Sequence, residues 1–148
     1  MTEAQIHLMT NHFPIILPMI GGVILILSFL LKSAVSRRIG YFIVVLGGLF
    51  TIPAFFSGEG AEEIVEHLGK SHDLIHEHEE KAEIFAYLSY LISLVSLVAL
   101  WMNWKKKSYE KLLFPLVIIG SLGLAVLAFQ TGKSGGEISH PEILNQED

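Results

Sequence analysis

Apolar and polar positions separate along this chain by whole segments: four long uncharged stretches alternate with polar ones. The apolar stretches cover residues 13–31, 40–58, 84–104 and 112–132, about 19–21 residues each. A helix rises about 1.5 Å per residue, so each can cross roughly 30 Å of hydrocarbon. The pattern predicts an all-α, polytopic membrane protein: an antiparallel four-helix transmembrane bundle, one domain over residues 1–148. Small residues fall inside the spans, as Gly21-Gly22, Gly47-Gly48, Gly120 and Gly123. Such residues let membrane helices approach closely, which predicts a compact bundle. Met1 to Asn11 reads as a short polar lead, with Asn11 capping span one and Pro14 in its first turn. Pro53 is expected to kink span two near its end.

The middle segment carries its own periodicity. Ala61, Ile64, Val65 and Leu68 recur at helical spacing, predicting a short amphipathic outer helix between spans two and three. Gly69 ends it, and Ser71 caps the next helix. From His72 the helical pattern runs unbroken through Trp104. Those residues make a helix of roughly 50 Å, so its first turns must project beyond the bilayer.

Charge sets the expected orientation. Lys32, Arg37 and Arg38 follow span one, and Lys105, Lys106, Lys107 and Lys111 follow span three. The positive-inside rule places both loops in the cytoplasm. The N-terminus, the middle segment and the C-terminus are then extracytoplasmic, in a bacterial inner membrane. No basic region precedes the first span, so it is expected to stay in place rather than be cleaved. The net charge of −5 arises in the outer segments, and no basic face suited to nucleic acid is present. The lipid bilayer is the first partner. With no cysteine, disulfides, thiolate metal sites, iron–sulfur clusters and covalently attached haem are excluded.

All seven histidines then share the outer side: His7, His12, His67, His72, His76, His78 and His140. On a helical wheel His72, His76, Glu79 and Glu83 form one stripe. His78 falls with Leu74, Ile75, Ala82, Phe85 and Ser89 on the packed face. His12 opens span one at nearly the same height. His67 follows Glu63 by four residues, and Gly135-Gly136 is expected to turn the chain so that His140 returns over the bundle mouth. This makes His12, Glu63, His67, His78 and His140 the candidate metal ligands. Imidazole and carboxylate suit a zinc, copper or iron ion. His12 and His78 are also the candidate axial pair for one b-type haem. The bland reading of His7, His72, His76 and the acidic run through Glu83 is a solvated surface. Tyr41, Tyr87 and Tyr90 read as packing residues.

Asn11-His12-Phe13-Pro14-Ile15 at the start of span one, and Thr131-Gly132 with Gly135-Gly136-Glu137 after span four, carry a resemblance. They resemble the motifs of a family of small bacterial four-helix membrane proteins of unknown function, which carries His-Phe-Pro-Ile and Gly-Gly-Glu at these places. The resemblance implies the four-span fold over nearly the whole chain. Some members of that family are fused to Rieske or cytochrome-like domains, which implies a redox setting.

Two functions of different class follow. The first is a transition-metal centre, bare ion or haem b, held at the extracytoplasmic face for electron transfer with a cytochrome, a Rieske-type protein or another membrane subunit. The second is a structural or accessory subunit of a larger membrane complex, with a homo-oligomer as a further assembly. A transporter ranks below both, because no charged group lies within the spans. No His-Glu-x-x-His sequence is present, so metalloprotease-type catalysis has no support.

Overall fold

Four helical stretches are long and apolar enough to cross a membrane, as the segment pattern predicts. The structure is a computed structural model that describes residues 1–140. Its helices are α1 (Glu3–Thr10), α2 (Phe13–Leu30), α3 (Ala34–Phe56), α4 (Gly58–His67), α5 (His72–Trp104) and α6 (Glu110–Ser139). Helix α2 packs on α3, α3 on α5, α5 on α6, and α6 returns to α2. The four spans therefore form a closed ring, with α2/α5 and α3/α6 on its diagonals.

The chain turns outward what a soluble protein would bury. Phe29, Leu94, Ile119 and Phe129 are all well exposed on the bundle's outer face. Within a bilayer that surface meets lipid tails as apolar as itself, while each helix satisfies its own backbone hydrogen bonds. The interior holds Leu25, Val44, Phe85, Ile92, Val117 and Leu124. Close approach depends on the glycines. A Cβ on Gly47 would lie 2.6 Å from the Pro18 ring, and one on Gly48 would lie 2.5 Å from Ser93 Cβ. Pro18 is thus accommodated inside α2 because α3 presents no side chain opposite it.

The two ends of the bundle are built differently. At the lysine-rich end, Glu110 opens α6 with only 4% of its surface exposed. It accepts hydrogen bonds from the Tyr41 hydroxyl at 2.7 Å and from Arg37 Nη1 at 3.2 Å. The Arg37 guanidinium lies 4.5 Å from the centroid of the Phe114 ring. Arg37 and Tyr41 are on α3, so this cluster ties the α3/α6 diagonal shut. Arg38 Nε donates to Asn103 Oδ1 at 2.9 Å, joining α3 to α5 as well. Tyr41 packs in the core as expected, and it also bonds to Glu110. Tyr87 instead faces outward and donates to Glu83 at 2.9 Å.

At the histidine-rich end the structure corrects three expectations. The polar lead is a helix, α1, closed by a reciprocal cap between Thr2 and Gln5. Asn11 is the C-cap of α1, and His12 occupies the N-cap of α2 without a side-chain bond to it. The break falls here because Pro14 has no N–H to offer Thr10 and its ring crowds that carbonyl. Finally, Gly135-Gly136 makes no turn: α6 runs through both to Ser139. Ser134 and Ile138 are buried in this last stretch, so packing holds the helix across its glycines. The amphipathic outer helix is present as α4, within the predicted segment.

Candidate functional site

The projecting ends of the helices leave a cavity of about 340 Å³ at the histidine-rich end. His7 and Leu8 of α1 close it from above, and Asn11 and His12 line it at the break before α2. Thr51, Ala54 and Phe55 come from α3, and His78, Ala82, Phe85 and Ala86 from α5. One wall is the backbone-rich face of α6: Thr131, Gly132, Gly135, Gly136 and Ser139. None of these described lining residues is Lys, Arg, Asp or Glu. A mostly apolar cavity of this size with a few convergent polar groups is the usual form of a small-molecule site.

His78 stands outside the membrane-crossing segment 84–104, on the face of α5 that continues downward as Phe85 and Ser89. Its Nδ1 lies 3.1 Å from the Thr131 carbonyl oxygen and 3.0 Å from Ser134 Oγ. A carbonyl cannot donate, so Nδ1 carries the hydrogen and donates it. Ser134 Oγ donates to the same Thr131 carbonyl at 3.0 Å and so accepts from the ring. In the neutral ring Nε2 then bears a free lone pair. Burial pushes the imidazole below its ordinary value; a positive charge on His7 would push the same way, and the Thr131 bond opposes it. Gly135 is what admits the ring, since a Cβ there would lie 3.1 Å from His78 Cε1.

His7 repeats the arrangement from the other side. Its Nδ1 lies 2.9 Å from the Ala54 carbonyl oxygen of α3, again an acceptor only. Its Nε2 is therefore also a lone pair, on a half-buried ring lining the same cavity. Sequence pattern alone leaves His7 among the solvated residues, because it lies in what reads as a short polar lead. The Thr2-x-x-Gln5 pair, the signature of a helix start, was the signal available. Thr131 lines the cavity too, and its own hydroxyl is buried without a hydrogen-bond partner.

The five candidate ligands do not gather. His12 and His78 line the cavity together; His12 is otherwise exposed, with Nδ1 against Asn11 Oδ1 at 2.5 Å. Glu63 and His67 stand on the outer face of α4, 4.0 Å apart, with both side chains more than three-quarters exposed. His140 follows the end of α6 on the surface, since the expected turn is a helix. His72 and His76 pair with Glu66, and with Glu79 and Glu80, on exposed surfaces, as a solvated reading requires. Among the described residues no three His, Asp or Glu side chains are placed to hold one metal ion.

A family model described as "Predicted membrane protein (DUF2231)" matches residues 3–142. No curated protein and no solved structure matches the chain.

Proposed function

The chain belongs to the DUF2231 family of predicted membrane proteins, and we propose that it binds one small neutral molecule in the cavity at its histidine-rich end. One observation carries this reading: His7 and His78 both spend Nδ1–H on a backbone carbonyl and both line the same cavity. Each neutral ring then keeps its Nε2 lone pair as an acceptor for a molecule entering the cavity. A ligand with O–H or N–H donors answers them. The absence of charged lining residues favours a neutral ligand over an anion. By the positive-inside rule the cavity opens on the extracytoplasmic side, at the surface of a bacterial inner membrane.

A metal centre is the second reading, favoured by the same Nδ1 bonds. Histidines that ligate metals commonly donate the other ring nitrogen to a carbonyl or carboxylate, which fixes the tautomer. A b-type haem would be held by His78 together with His12 or His7, and would supply one-electron chemistry. A bare zinc, copper or iron ion has fewer protein ligands at hand.

Native mass spectrometry of the protein extracted from its own membrane, with an absorption spectrum and elemental analysis, tests both readings. A bound organic mass lost in His7→Ala and His78→Ala but kept in His67→Ala supports the first. A Soret band or stoichiometric metal lost in the same variants supports the second. Neither a bound mass nor a metal in wild type contradicts both.

A further inference from the structure

A second, apolar opening lies further along two of the cavity's helices. A groove of about 120 Å³ runs along the seam between α2 and α6, lined by Met19, Gly22 and Ile26 on one side and Ile118, Ser121 and Ala125 on the other. Ile15 of the cavity and Met19 of the groove are one turn apart on α2. On α6, Gly132 of the cavity and Ala125 of the groove are seven residues apart, on one face and about 10 Å apart along the helix. Cavity and groove thus adjoin the same faces of α2 and α6, the groove lying deeper in the apolar spans. Gly22 shapes the groove floor: a Cβ on it would lie 3.0 Å from Ser121 Cβ. The Ser121 hydroxyl is buried there without a hydrogen-bond partner.

We infer that the ligand is a tailed, neutral hydroquinone, its ring in the cavity and its tail lying along the α2/α6 groove. This rests on the cavity reading above. The ring's hydroxyls donate to the lone pairs of His7 and His78. Its flat face suits the glycine wall of α6, where a Cβ on Gly132 or Gly136 would meet nothing within 4 Å. Phospholipids and fatty acids are poorer fits, because their anionic heads would meet no Lys or Arg among the described lining residues. A tail gains no hydrophobic energy on leaving lipid for protein, so the groove contributes packing and position only.

The test uses the full chain in nanodiscs, labelled with ¹⁵N at histidine. It is titrated with a tail-less dimethoxy-methylhydroquinone and with the same ring bearing a decyl chain. Affinities are referred to ligand concentration in the bilayer. Both probes are expected to shift the His7 and His78 signals, with the decyl form bound about three- to tenfold more tightly. Ala125→Phe, and independently Met19→Trp, should bring the decyl form down to the tail-less affinity and leave the tail-less form unchanged. Equal affinities in wild type, or groove variants without effect, overturn the inference and leave the groove to ordinary bilayer lipid. No response to either probe overturns it too. The native mass measurement then decides whether the cavity reading falls as well.

Discussion

At the residue scale, two buried groups set the character of the two ends. His78 is favoured in its neutral form chiefly by burial. Its folded value lies below the unfolded one, near 6.5, so the unfolded chain takes up the proton first as pH falls. The stability contribution is therefore full above that pH and is lost below it. Apparent melting temperatures in detergent should drop between pH 7.5 and pH 5 by more in wild type than in His78→Gln; parallel curves would contradict this. At the other end, Glu110 is the one acidic residue among the basic loops, and that isolation was its sequence signal. Only folding shows that Tyr41 and Arg37, four residues apart on α3, both reach it. Glu110→Ala leaves a guanidinium and a phenol beneath the bundle without their acceptor. The expected loss is about 3 kcal/mol, the low end for a broken buried pair because Arg37 keeps some solvent. Unfolding of wild type, Glu110→Ala and Glu110→Gln in a detergent series measures it, with Glu110→Gln expected in between.

At the element scale, the four spans were legible because twenty uncharged apolar residues have few other stable fates. The projecting start of α5 and the helix α4 were legible from their spacing. Two elements were not. Helix α1 is eight residues long and shows no buried residue, so hydrophobic periodicity cannot find it. Its capping pair could have, and with α1 comes His7. The end of α6 was misread because glycine pairs disfavour helix in isolation by roughly 1 kcal/mol each. Here Ser134 and Ile138 pack inward and outweigh that preference. Packing also makes a prediction for α3. Gly47→Ala places a methyl against the Pro18 ring, so α2 must shift or strain, at about 1–3 kcal/mol. Gly136→Ala faces open space and should cost nothing in the same unfolding assay. Equal losses at the two sites would count against the packing described.

At the scale of the whole molecule, the bundle is polar in the literal sense. One end is tied across its diagonal by Glu110, and the other stays open around His7 and His78. Of the candidate site residues, His78 and His12 line one cavity, while Glu63, His67 and His140, grouped with them by membrane face alone, lie on the surface. Sharing a face does not bring side chains to one point, and only the helix ends decide that. Since the chain has no cysteine, single-cysteine variants give a clean topology test. Gln5→Cys should react with an impermeant maleimide on intact cells, and Lys106→Cys only after permeabilisation. The reverse pattern would put the cavity on the cytoplasmic side.

The central claim is that two imidazoles offer fixed lone pairs to one cavity. Histidine ¹⁵N NMR in nanodiscs at pH 7.5 reports it directly. The account predicts that His7 and His78, assigned through single alanine variants, are neutral Nδ1–H rings with unprotonated Nε2, unlike the exposed, tautomer-averaging His67. Averaged or Nε2–H signals from His7 and His78 would contradict it.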